Sequence, residues 1–205
     1  MKIVSELSRL LSLPSGYRFF QSMVGAERAR RVYLADYVSP VPGIKILDIG
    51  CGPADILEYL PAVNYTGLDL SPDYIKSAKD RFGAKGRFCC GDVGLAAFEG
   101  EHGTFDTVLA VGVLHHLDDG ETAKLFMMAR NALRPGGCLV TYDGCYVPDQ
   151  SRIARWLLDK DRGEYVRAPE EYLRLASAYF SKVVPSVRHD LLRIPYTHLI
   201  MRCSK

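Results

Sequence analysis

The 205-residue sequence has no run of eighteen or so apolar residues, so it offers no stretch suited to a membrane-crossing helix. Its first residues lack the unbroken apolar core of a secretory leader, because Ser5, Glu6, Ser8 and Arg9 interrupt them. Cys51, Cys89, Cys90, Cys138, Cys145 and Cys203 include no C-x-x-C pair and sit mostly in apolar runs, which argues against a disulfide framework and for reduced thiols in a cytoplasmic protein. Neither H-E-x-x-H nor paired Cys/His spacing is present, so no metal centre is expected. Internal repeats and low-complexity tracts are absent too. A formal net charge of +2 supplies little of the phosphate-neutralising surface that nucleic-acid binding needs.

What is present is the material of one globular domain. The chain is 48% hydrophobic and 24% charged, and at this length a single core buries roughly 70% of the unfolded surface. The small net charge conceals a pattern, since residues 1–40 and 151–205 together carry +8 and residues 41–150 carry −6. Short β-branched or apolar runs at 44–49, 65–69, 87–90, 107–111 and 138–142 alternate with amphipathic stretches, which predicts βαβ units and a parallel sheet. Ser71-Pro72 opens one helix with a cap and an N1 proline. Leu125, Met128, Ala129 and Ala132 mark another at i, i+3, i+4, i+7, ahead of Pro135-Gly136-Gly137. A helix after Pro169 precedes strands near 183–187 and 197–203, whose short link through Pro195 leaves room only for a hairpin. The last strand should therefore run antiparallel. Residues before Pro40 read as helix.

The most informative stretch is Ile46-Leu47-Asp48-Ile49-Gly50-Cys51-Gly52-Pro53-Ala54-Asp55, a strand entering Gly-x-Gly and then a helix. Glycines at this point let backbone N–H groups approach a ligand. A dinucleotide fingerprint also wants a small residue at the sixth position, where this chain has Asp55. Asp48 would repel pyrophosphate and welcome a cation. Asp69 ends the second strand, where a carboxylate binds ribose hydroxyls, and Asp92-Val93 ends the third, where a carboxylate and a backbone N–H suit an adenine edge. A nucleoside with a cationic tail would satisfy all three.

The set LDIGCGPAD, GLDLS, FCCGDV, FDTVLAVGVLHHL and LRPGGCLV resembles, in order and spacing over about residues 40–145, the motifs of class I S-adenosylmethionine-dependent methyltransferases, most closely the quinone-biosynthesis and sterol-type small-molecule branch. The resemblance implies a Rossmann-like doubly wound α/β fold: a seven-stranded sheet with an antiparallel last strand between helical layers. It implies that Asp48, Gly50, Cys51 and Gly52 line the methionine moiety of S-adenosylmethionine, that Asp69 with Leu70 holds ribose, and that Asp92 with Val93 holds adenine. Val111 would face the sulfonium, and Tyr17 would close over the cofactor. Ala54 stands where the pattern often has a third glycine, with tighter packing as the expected consequence.

One methyltransferase domain is thus expected over 1–205, with a helical lid at 1–40, a cofactor core at 41–145, a substrate-side insertion and helix at 146–180 and a hairpin at 181–205. His115 and His116 follow the fourth strand, beside the expected methyl, and are the candidate general bases for O-methylation. Asp118, Asp119 and Asp143 are alternatives as a Mg²⁺ set, with Asp118 and Asp119 otherwise capping the helix at Glu121. The arginines at 18, 28, 30, 31, 152, 155 and 193 favour an anionic, glycan or lipid-linked acceptor. C- or N-methylation, and a nucleotide-binding module without catalysis, remain open at this point. A small-molecule partner, no nucleic acid and a monomer or homodimer complete the expectation.

Overall fold

The computed structural model describes residues 24–91, 102–160 and 163–205. Seven strands, β1 (Lys45–Ile49), β2 (Asn64–Asp69), β3 (Gly86–Cys90), β4 (Phe105–Val111), β5 (Leu133–Gly144), β6 (Lys182–Arg188) and β7 (His198–Ser204), form one sheet in the order β3-β2-β1-β4-β5-β7-β6. The first five run parallel, and β7 pairs antiparallel with both β5 and β6, as the short hairpin link requires. The central strand shows why this sheet needs two covering layers. Along β1, Ile46 faces one core and Leu47 and Ile49 the other, all essentially without solvent contact.

One face is covered by α1 (Ala26–Tyr33) and α2 (Pro72–Phe82), through Ala29, Tyr33, Ile75 and Phe82. The other carries α3 (Asp119–Ala132) and α5 (Pro169–Ser177), through Leu125, Phe126, Tyr172 and Leu175. A further helix, α4 (Arg152–Asp159), lies between β5 and α5. Helix starts follow the capping rules: the Tyr74 N–H donates to Ser71 Oγ ahead of Pro72, and Asp118 and Glu121 form a reciprocal capping box. Asp118 alone occupies the cap, whereas Asp119 pairs with Arg167 and Arg174. All six cysteines are free thiols, four of them buried. No helix among the described residues is long and apolar enough to cross a membrane.

Two expectations need correction. The helix expected after Gly-x-Gly is only the 3₁₀ run Asp55–Tyr59, because Pro61 holds Leu60 in extended backbone (φ −84°, ψ 145°) and ends it. Ala54 does more than pack tightly: it adopts left-handed backbone (φ 57°, ψ 35°) while fully buried, so the missing glycine leaves backbone strain.

Strand order positions the site. From β1 the chain steps to β2 and β3 on one side, then crosses to β4 and β5 on the other. Connections therefore diverge between β1 and β4, and open α/β sheets bind ligands outside the carboxyl ends of strands at such a point.

Candidate functional site

At the carboxyl end of β1 the chain turns sharply, with Gly50 and Gly52 both in left-handed backbone (φ 71° and 54°). At Gly50 a Cβ would lie 2.5 Å from Val113 Cγ2, so only glycine lets the loops after β1 and β4 meet. At Gly52 a Cβ would meet nothing within 4 Å, so that backbone fronts open space. The Gly50 and Cys51 N–H groups donate to Leu68 O at 2.7 and 3.0 Å, fastening the turn to β2. Cys51 tucks its thiol against Gly67 of β2, where a Cβ would approach Sγ to 2.8 Å. Burial pushes that thiol well above its ordinary pKa, which makes it a small apolar filler and not a nucleophile.

Asp69, at the end of β2, ties two loops together. Its Oδ2 accepts from the Gly52 N–H and its Oδ1 from the Ser71 N–H, both at 2.8 Å. A carboxylate has about four acceptor directions, so capacity remains for a diol. Leu70, the next residue, is 66% exposed at the rim.

Asp48 sits deeper, 3% exposed, and accepts from the Tyr65 hydroxyl at 2.6 Å through Oδ2. Its Oδ1 is buried without a hydrogen-bond partner among the described residues. Burial pushes the carboxyl up to about 7, and Asp69 adds to the rise, while the Tyr65 hydrogen bond opposes it. A buried acceptor of this kind calls for a donor or a cation.

The second half of the edge comes from β4 and β5. Val111 ends β4, half-buried and in register with Tyr142. Tyr142 stacks on His198 at 4.6 Å and lies 5.5 Å from Tyr33, whose hydroxyl donates to Val140 O at 2.9 Å and fixes α1 on the sheet. Beyond Val111, the 3₁₀ turn Leu114–His116 carries both histidines. His115 is 7% exposed, with Nδ1 2.9 Å from Asp143 Oδ1 at the end of β5. His116 is exposed, its ring 4.2 Å from that of His115.

The structure thus gathers Asp48, Gly50, Cys51, Gly52 and Asp69 around one turn, with Val111 and His115 on the adjoining strand end. Asp143 joins His115 and not Asp118 or Asp119, and no group of three potential metal ligands occurs among the described residues. Tyr17, Asp92 and Val93 lie outside the described residues, as does Arg18. Of the other arginines, Arg30 pairs with Asp55 and Arg31 with Glu27, while Arg155 lies over Tyr146. Sequence reading missed Tyr65 as the partner of Asp48, and Arg167, which grips the histidine turn. Alternation in two adjacent strands could have paired Asp48 with Tyr65; nothing local marks Arg167.

Residues 46–137 match the family model described as a methyltransferase domain. N-terminal Xaa-Pro-Lys N-methyltransferase 1 of Mus musculus is 31% identical over 105 residues, covering 47% of this chain and 46% of that protein. Phosphoethanolamine N-methyltransferase of Triticum aestivum is 30% identical over 179 residues, 83% of this chain and 34% of that one. The chain therefore spans less than half the length of these curated relatives. Among solved structures, a geranyl diphosphate methyltransferase in complex with GPP and sinefungin superposes with a TM-score of 0.66 at 19% identity, covering 86% of this chain and 78% of the other. Residues 46–137 are thus similar in sequence to methyltransferase domains, and the sheet around them has the fold of the solved methyltransferase structure.

Proposed function

We propose that this protein is an S-adenosylmethionine-dependent methyltransferase acting on a small molecule. The observation that carries the reading is the pair of carboxyl groups at the switch point: Asp69, held in place by the Gly52 and Ser71 N–H groups, and Asp48, with a buried oxygen lacking a partner among the described residues. A ribose diol suits the first and an α-ammonium the second. A pyrophosphate suits neither, which disfavours a nicotinamide dinucleotide. When bound, the cofactor supplies a methyl group on a sulfonium, an electrophile needing no further activation.

The protein's own residues bind, orient and shield. Asp48 would hold the ammonium and Asp69 with the Leu70 backbone the ribose. Gly50, Cys51 and Gly52 would let backbone approach the methionine portion, with Val111 beside the sulfonium. Asp92 and Val93 would take the adenine and Tyr17 would close the site. Their task is to keep an acceptor atom about 3 Å from the methyl carbon with water excluded. His115, with His116 second, would receive a hydroxyl proton, which makes O-methylation our first assignment. A carbon or amine acceptor would need no such base.

The arginines on α1 and around the β6–β7 link support an acceptor bearing phosphate or carboxylate, although pairing of Arg30 with Asp55 and of Arg188 with Asp190 tempers that charge. The wheat relative is by name a phosphoethanolamine enzyme, which fits a phosphate-bearing acceptor. Six free thiols favour a cytoplasmic setting. The test is a screen of hydroxylated phosphates and carboxylates with methyl-labelled cofactor. A labelled O-methyl product that disappears in Asp69→Ala is expected; label transfer unaffected by that change would refute the site.

A further inference from the structure

Helix α4 is fixed to the fold on one side and apolar on another. Ser151 caps it, accepting from the Ala154 N–H at 3.1 Å, and Ala154 and Leu158 are buried. Leu158 packs on Gly144, the last residue of β5, where a Cβ would lie 2.6 Å from its Cδ2. The helix therefore sits at the carboxyl end of the sheet, the edge that carries Asp48 and Asp69. Tyr146 covers a second side: its ring centroid lies 5.2 Å from the Arg155 guanidinium, and its hydroxyl donates to Asp159 Oδ1 at 2.9 Å. Ile153, Trp156, Leu157 and the C-cap Lys160 follow at i, i+3, i+4 and i+7 and share the remaining face. Ile153 is 60% exposed and Trp156, the only tryptophan of the chain, 58%. Two large apolar side chains standing in water on adjacent turns mark a face that something else covers.

We propose that this face docks on an anionic lipid surface, with Ile153 and Trp156 entering the headgroup–acyl boundary, Arg152 and Lys160 reaching lipid phosphates, and Arg155 adding charge beside them. All three cations are exposed, and their side chains form no ion pair among the described residues. The one acid of the helix, Asp159, already accepts from Tyr146. Apolar anchors rimmed by Lys and Arg are the composition of an interfacial helix, each cation near the surface adding an attraction that salt screens. Tryptophan suits that boundary because its ring is apolar while its indole N–H reaches water or headgroup oxygens.

The same charges disfavour the other occupants. A twofold pairing of copies would set this face against itself, cation to cation. Residues 1–23 carry Lys2, Arg9 and Arg18 against Glu6 and match it no better. Docking through α4 needs no cofactor, so it stands apart from the methyltransferase reading, yet it would turn the edge holding Asp48 and Asp69 toward the lipid.

Trp156 reports the contact itself, since no other tryptophan emits. The full chain is mixed with vesicles of phosphatidylcholine alone, or of three parts phosphatidylcholine to one part phosphatidylglycerol, and read by emission and co-sedimentation. With the anionic vesicles a blue shift, quenching by brominated acyl chains and co-sedimentation are expected, all lost at about 1 M NaCl, where the screening length falls to about 3 Å. Ile153→Asp should weaken vesicle binding about tenfold or more and Arg152→Gln about fivefold. Both variants should melt with the wild type, because both side chains are exposed. Absence of a blue shift with anionic vesicles overturns the proposal, as does binding unchanged in Ile153→Asp or equal on both kinds of vesicle. Emission already blue-shifted without lipid would show the face covered by this chain or a second copy, and overturns it as well.

Discussion

The Tyr65 hydroxyl on β2 donates to Asp48 Oδ2 on β1 at 2.6 Å, joining two neighbouring strands inside the core face beneath α1 and α2. Through this bond the sheet tolerates a carboxyl group that is 3% exposed, and orients its other oxygen, Oδ1.

That relation makes stability and binding depend on pH in opposite senses. Asp48 is raised by burial from 3.8 to about 7, so the folded state is penalised as pH rises through this window, where the unfolded chain ionises first. Asp48→Asn should therefore gain on the wild type from pH 4 upward and level off above pH 7, at on the order of 4 kcal/mol. Thermal melts at pH 4, 6 and 8 measure this. A bound ammonium needs the ionised form, so wild-type affinity for S-adenosylhomocysteine should fall as pH drops below 7, with Asp48→Asn showing no such slope.

The contact between the loops after β1 and β4 predicts a compensated pair. Gly50→Ala adds a Cβ 2.5 Å from Val113 Cγ2 in left-handed backbone, and should cost about 2–4 kcal/mol, part steric and part backbone. Val113→Ala in the same chain should recover the steric part alone, which urea titration of the single and double variants would resolve.

Ala54 carries backbone strain that a glycine would avoid. Replacement by Gly should leave stability within about 1 kcal/mol, because relief of the left-handed backbone offsets the lost buried methyl. Ala54→Val should lose about 2–4 kcal/mol, since branching at Cβ suits neither the backbone nor the space. Equal melting temperatures for Ala54→Val and the wild type would contradict this.

Arg167→Met should remove the guanidinium donor from the Leu114 and Leu117 carbonyls, which keep the Leu117 N–H and the Thr122 hydroxyl, and cost about 1–2 kcal/mol in urea. Arg167→Lys should recover little, because one ammonium cannot span the two carbonyls and Asp119 that the guanidinium fork reaches.

These predictions separate what local sequence carries from what it does not. The strands, the capped helices starting at Pro72 and Asp119 and the final hairpin were legible because each follows from a period of two or 3.6, a capping residue or a link too short for a crossover. Asp69 and the glycines were legible because strand ends converge once parallel order is known. The Asp48–Tyr65 bond needed the cross-strand register, and the Asp143–His115 pair needed the order of β4 and β5. Arg167 acts across about fifty residues of chain onto Leu114 and Leu117, and the truncated helix after Gly52 depended on Pro61 outcompeting the motif.

The switch point between β1 and β4 is the proposed seat of a nucleoside with a cationic tail. Titration calorimetry of the full chain with S-adenosylhomocysteine, adenosine and NAD tests it most directly. Micromolar or tighter binding of S-adenosylhomocysteine is expected, with weaker binding of adenosine and loss of both in Asp69→Ala. Preference for NAD, or binding of S-adenosylhomocysteine that survives Asp69→Ala intact, would contradict it.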